Sequence, residues 1–291
     1  MLIANPIYDT VFKYMMDDNK VAKLLLSAII GEKITKLELR PTGIKTHIKD
    51  TLTVYYIDFV AKIRSEDRSE RLVIIEVQKA KFATDIMRFR KYLGEQYSNP
   101  NNVYEVNEPN ARYGKALPIV SIYFLGHRLD HTKAPVIKIQ REYLDVTTGK
   151  EIKEKEYFIE SLTHDSYIIQ IPFLEQNRKT ELLRILSIFD QSSREENYHI
   201  LNVREEDFSV RYRHIIRRLQ QAHSDNEVRK HMQVEDNYLD YLENQERYIA
   251  DMIELKDRTI EEKNKTIKDI TNENLEIKKQ FEELKRRLDN K

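Results

Sequence analysis

Val54-Tyr55-Tyr56-Ile57-Asp58-Phe59-Val60-Ala61-Lys62, followed after a polar break by Leu72-Val73-Ile74-Ile75-Glu76-Val77-Gln78-Lys79, decides how this chain folds. β-Branched and aromatic residues dominate both runs, so each reads as a strand. The joint Ser65-Glu66-Asp67-Arg68-Ser69-Glu70 is short and polar, as a hairpin connection requires. Side chains alternate along a strand, so Glu76 and Gln78 share a face with Leu72 and Ile74. Symmetric pairing about the joint sets Asp58 opposite Glu76. Directly opposed residues stand about 4.5–5.5 Å apart at Cβ. Two carboxylates at that range repel unless a cation joins them or one takes a proton. With the amide oxygen of Gln78 they make an all-oxygen half-shell, which suits Mg²⁺ or Mn²⁺ rather than zinc. Such an ion activates water and neutralises charge on a phosphodiester. The plainer reading of both acids is exposure at strand ends, or pairing with Lys62 and Arg71.

Asp58 followed by Glu76-Val77-Gln78 resembles the PD-(D/E)xK nuclease signature, in the variant with Gln for the final Lys. Three further blocks resemble one branch of that superfamily, the recombination-promoting nuclease and transposase family. They are Asn5-Pro6-Ile7-Tyr8-Asp9-Thr10-Val11-Phe12-Lys13, Arg88-Phe89-Arg90-Lys91-Tyr92 and Ser161-Leu162-Thr163-His164-Asp165. The resemblance covers residues 5–235 and is most specific where the D…ExQ core and these blocks combine. It implies an α/β fold with a restriction-endonuclease-like mixed sheet flanked by helices. It further implies Mg²⁺-dependent cleavage of DNA, with Asp58 and Glu76 on the metal.

Composition sets the frame for that expectation. The chain has 291 residues, room for one large domain plus an extension. It has no cysteine, which rules out disulfides and thiolate metal sites. Its net charge is zero, so a grip on DNA has to come from a local basic patch. The start lacks the charged-then-apolar pattern of a signal peptide. The longest apolar run, Leu24-Leu25-Leu26-Ser27-Ala28-Ile29-Ile30, is too short to span a bilayer. A soluble cytoplasmic protein is expected. No Gly-rich phosphate loop, HExxH or GxSxG occurs, which leaves NTPase, zinc-protease and serine-hydrolase readings without support.

The pattern places a helix N-cap at Asn5, with Pro6 first in a helix running through Tyr8–Met16. A second helix spans Lys20–Ile30 and stops at Gly31. Lys36–Arg40 reads as a strand, and Thr84–Tyr97 as a helix with Ile86, Phe89 and Leu93 on its apolar side. Ser98–Lys115 is rich in Asn and irregular. Leu117–Leu125 reads as a buried central strand. Val136–Gln140, Tyr157–Ser161 and Tyr167–Ile171 read as strands, with His164-Asp165 in a hairpin turn. Thr180–Phe189 and Phe208–Ala222 read as helices. This order fits a domain over 1–235, followed by an extension over 236–291.

From Leu239 the extension carries an unbroken heptad. One row holds Leu239, Glu246, Ile253, Ile260, Ile267, Asn274, Phe281 and Leu288; the other holds Leu242, Ile249, Lys256, Lys263, Ile270, Ile277 and Leu284. This predicts a coiled coil roughly 75 Å long that joins copies of the chain. A single solvated helix held by i,i+4 charge pairs is the alternative.

Around the acid pair, Gln78 is read as the residue that positions water or a phosphate oxygen. Lys79 is the catalytic substitute should a bulge turn it to the same face. Asp9 and Lys13 sit i,i+4 on the first helix. They form either a dipole-complementing ion pair or an extra ligand beside the site with a cation for substrate. Arg88 and Tyr92 share a helix face after the ExQ strand, where Arg88 suits a forked phosphate contact. Its other reading is a surface Arg with its stem on Tyr92. The basic helix Val210–Arg218 is read as a solvated amphipathic helix before a DNA contact. His127 and His131 read as loop histidines. A non-catalytic binding module on a nuclease fold, with the coiled coil as its working part, is the rival to the enzyme.

Overall fold

Alternating and fully apolar runs in the middle of the chain build one mixed sheet, and amphipathic segments before and after it cover its faces. The computed structural model describes residues 1–40, 47–48, 52–53, 57–64, 70–80, 86–104, 115–174 and 178–289, with the backbone alone at a number of these, Arg40, Asp58, Glu76, Gln78, Lys79 and Arg88 among them. Most of the expected joint (65–69), the first residues of the Asp58 run (54–56), Lys81, Thr84 and much of Ser98–Lys115 lie outside the described residues.

In chain order the elements begin β1 (Leu2–Ala4), α1 (Asp9–Met16), α2 (Asn19–Ile30), β2 (Lys33–Arg40), β3 (His47–Ile48), β4 (Leu52–Thr53), β5 (Ile57–Arg64), β6 (Glu70–Ala80) and α3 (Ile86–Ser98). They continue β7 (Val103–Tyr104), β8 (Lys115–Ala116), β9 (Ile119–Leu125), β10 (Val136–Ile139), β11 (Tyr143–Asp145), β12 (Lys150–Ile152), α4 (Tyr157–Leu162) and β13 (His164–Gln170). The last are α5 (Glu181–Leu186), β14 (Ile200–Asn202), α6 (Arg213–Ser224) and α7 (Asn226–Asp289). Six strands form the main sheet in the order β10-β13-β9-β6-β5-β2. The antiparallel meander β2-β5-β6 is followed by α3 and by β9 parallel to β6; β13 continues parallel, and β10 closes the far edge antiparallel.

The two faces of this sheet are distinct. Phe59, Ala61, Ile63, Val73, Ile75, Val120, Ile122, Phe124, Tyr167 and Ile169 join the large core with α1, α2, α5 and α6. Phe12 of α1 meets Phe124 edge-on, with ring centroids 5.4 Å apart. The opposite face carries Ile74 and Ile119 against Leu93, and Tyr123 and Leu125 against Phe89, so α3 lies across it.

Several local signals act as expected. Asp18 caps α2 by accepting from the N–H groups of Lys20 and Val21, and Gly31 ends it at φ 78°, a left-handed conformation that glycine adopts without strain. Other expectations are corrected. Asn5 does not cap a helix: it is buried in a turn, donating to Gln191 Oε1 and the Tyr198 carbonyl and accepting from the Ile7 N–H. Residues Tyr157–Leu162 form a helix, because Glu160 is held by Arg141 (2.8 Å) and by the Tyr143 hydroxyl (2.5 Å). Tertiary anchors there override the strand propensity of Tyr-Phe-Ile. His164 and Asp165 are not in a turn but begin β13. The helix expected over Phe208–Ala222 starts only at Arg213, after a 3₁₀ turn at Val210–Tyr212. Ile86 is 55% exposed rather than packed. The pairs β1–β14 and β11–β12 have no counterpart in the sequence reading.

The chain divides into two units, Met1–Glu235 and Asp236–Lys291. The second is helical throughout its described length as the continuation of α7, and its seam residues Ile253, Ile260, Ile267, Ile270, Ile277 and Phe281 are exposed. Among the described residues no helix is long and apolar enough to cross a membrane.

Candidate metal and phosphate site on the sheet

The β5–β6 ladder pairs Asp58 with Glu76 as Cα partners, the register that a symmetric hairpin predicts. Following the same row across the sheet gives Arg40, Asp58, Glu76, Ser121, Ser166 and Ile139. Positions in one row share a face. For this row it is the α3 face, because Ser121 alternates with Val120 and Ile122, which belong to the core on the other side. Gln78 is the partner of Tyr123, whose ring stacks on Phe89 of α3 at 4.9 Å. The positions of Asp58, Glu76 and Gln78 thus fall on the face that α3 crosses, on the interior strands β5 and β6.

Ser121 and Ser166 are residues that the sequence reading missed. Their hydroxyls are 2.7 Å apart, and both residues are buried. The available signal was a hydroxyl in the apolar run Leu117–Leu125. Two hydroxyls sharing one hydrogen bond retain a second proton, and Ser121 is next to Glu76 in the row.

The remaining candidates divide by face. Lys79 is the partner of Phe124, and the β6–β9 register runs unbroken from Ile74↔Ile119 to Ala80↔Leu125. No bulge carries Lys79 into the alternation of Gln78. Arg88 and Tyr92 stand on α3, on the face of the acid pair, with Tyr92 buried. Asp9 and Lys13 stand on α1, which packs on the other face. The Asp9 N–H donates to Glu235 Oε2 and the Thr10 N–H to Glu235 Oε1, both at 2.8 Å. Tyr8, the residue before the helix, supplies no side-chain cap, so Glu235 takes that role from more than 220 residues away.

At the far end of α3, the Tyr97 hydroxyl meets His164 Nδ1 at 2.8 Å. Burial, and then the Arg141 guanidinium, hold the His164 imidazole below its ordinary value, while Asp165 pulls the other way. Arg141 itself bridges Asp165 and Glu160, which ties the β10–β11 connection to α4 and β13. The basic helix is engaged within the fold. Arg218 lies 3.7 Å over the Tyr14 ring, Arg217 pairs with Glu205 at 3.1 Å, and His214 reaches Asp18 at 3.2 Å. These contacts favour the amphipathic-helix reading over a DNA contact. His127 and His131 lie in the loop after β9, with no third ligand evident in the sequence.

The chain was compared with protein-family models, with curated proteins and with solved structures, and it matches none of them.

Proposed function

We propose that this chain is a Mg²⁺-dependent DNA endonuclease of the PD-(D/E)xK type, acting in recombination or on mobile elements in the cytoplasm. The observation that carries the reading is the backbone register that makes Asp58 and Glu76 partners on the adjacent interior strands β5 and β6, with Glu76 two residues before Gln78. The meander β2-β5-β6, the helix α3 and the parallel strand β9 give that pair a setting in keeping with the reading.

The donor set is consistent with a hard cation. Asp58 and Glu76 supply carboxylate oxygens and Gln78 an amide oxygen, which suits Mg²⁺ or Mn²⁺. When bound there, the ion would activate water and neutralise charge on the phosphodiester. The protein's own residues do the positioning. Gln78 carries no charge and takes no proton at neutral pH, so it orients the attacking water or donates to a phosphate oxygen. Arg88 holds a phosphate in a forked contact; Tyr92 and Lys13 are the further substrate candidates and gain less from the fold, since Tyr92 is buried and Lys13 stands on α1 across the sheet. Asp9 and Lys79 are the auxiliary catalytic candidates, and both gain less from the fold, since α1 packs on the other face and Lys79 stays in the opposite alternation. The tail joins two or more copies as a coiled coil, which would allow both DNA strands to be cut.

Plasmid nicking with Mg²⁺ tests the reading, alongside Asp58→Ala and Glu76→Ala. Wild type is expected to nick, and each variant to lose about 10²-fold or more in rate, since a metal ligand contributes several kcal/mol. Nicking that survives in both variants would remove the proposed site. Calorimetric titration with Mn²⁺ is expected to show binding to wild type and much weaker binding to Glu76→Gln. One feature favours the second reading, a non-catalytic DNA- or protein-binding module. Gln78 stands where a charged Lys would stabilise the transition state. Metal binding without nicking would select it.

A further inference from the structure

The apolar rows of the tail lie on the surface of α7. Ile270 is 51% exposed and Phe281 68%, with Ile253, Ile260, Ile267 and Ile277 between those values. We infer that these rows are covered by the same rows of a second copy, running parallel and in register as a two-stranded coiled coil. This deepens the self-association proposed above and does not depend on the metal chemistry.

The polar residues in the rows choose the orientation. In a parallel, in-register pair each row meets itself, so Asn274 faces Asn274, and Glu246, Lys256 and Lys263 face their own counterparts. A second-row side chain in such a pair is flanked by the partner residue that follows its counterpart. For Lys256 that residue is Asp257, an opposite charge; for Lys263 it is Asn264, whose carbonyl accepts. Of the two antiparallel registers with equal overlap, one sets Asn274 against Ile249, Lys256 against Ile267 and Lys263 against Ile260, and the other sets Asn274 against Lys256 but leaves Lys263 against Ile267 and Glu246 against Leu284. Either way charged side chains are desolvated against aliphatic ones, and no antiparallel register pairs Asn274 with itself. The flanks agree with the parallel form: Glu273 of one copy meets Lys278 of the other, and Gln280 meets Lys285. No like-charged pair occurs along these edges. A paired Asn in the first row fixes register and restricts the assembly to two strands.

The chain has no cysteine, so one introduced residue reports the alignment. Full-length protein carrying Ile277→Cys is oxidised mildly and run without reductant, and the wild type is sedimented. The expected result is a dimer, with Ile277→Cys converted mostly to a covalent pair. Glu261→Cys, off the seam, should stay uncrosslinked. Asn274→Ile is expected to shift the sedimenting species to more than two chains. A monomeric wild type would overturn the inference together with the self-association it rests on. A dimer in which Ile277→Cys fails to link to itself, whether or not it links to Glu246→Cys or Ile253→Cys in a mixed sample, would overturn the parallel alignment alone. Neither outcome touches the nicking test of Asp58 and Glu76.

Discussion

The hydroxyl of Ser121 is fully buried and shares a hydrogen bond with Ser166, next to Glu76 in the sheet row. Removing one partner strands the other in an apolar setting, whereas removing both does not. Ser121→Ala and Ser166→Ala are each expected to cost about 1–2 kcal/mol in urea unfolding, and the double variant clearly less than their sum. Strict additivity would show that the two hydroxyls do not act as a pair. His164 gives a pH dependence whose sign follows from its environment. Burial and Arg141 lower its value in the folded chain below the ordinary 6.5. Above 6.5 both states are neutral and nothing is lost. As pH falls below it, the unfolded chain takes up the proton first, so stability drops until folded His164 also protonates. Urea midpoints taken at about pH 7.5 and about pH 5 should fall further for wild type than for His164→Gln.

Elements whose partners lie close in sequence were legible from residue pattern, and those fixed by distant partners were not. The hairpin of β5 and β6 announced its register because two β-rich runs flank one short polar joint. The core strand β9 showed itself as an apolar run. The row neighbours Ser121 and Ser166 stayed hidden, because a parallel neighbour is set by the path through α3 and beyond, and not by local alternation. The six residues of α4 read as a strand because propensity was all that the sequence offered. Their helix depends on Arg141 and Tyr143 reaching Glu160. The cap of α1 is the extreme case, since no local residue supplies it. Glu235→Ala is expected to lower stability by about 1–2 kcal/mol, and Glu235→Gln by less, because the amide oxygen still accepts one N–H. Equal stability of wild type and Glu235→Ala in urea would show that water caps α1 equally well.

For the molecule as a whole, the boundary after Glu235 has a physical meaning. Val228 and Met232, on the first turns of α7, are 6% and 1% exposed and belong to the core of the first unit. A chain stopped after Glu235 is expected to unfold cooperatively with most of the unit's stability. One stopped at Asp225 should be weaker by at least about 3 kcal/mol, since it loses two core side chains and the α1 cap. Unfolding by urea distinguishes the two. The same arrangement bears on how the protein is made. β1 pairs with β14, and the first helix borrows its cap from Glu235, so residues near the start of the unit wait for ones near its end. Until β14 is made β1 lacks its strand partner, and until Glu235 is made the N–H groups of Asp9 and Thr10 lack their cap. Residues 2–10 therefore stay unsettled while the rest of the unit is made, in the interval when chaperones and aggregation compete for them.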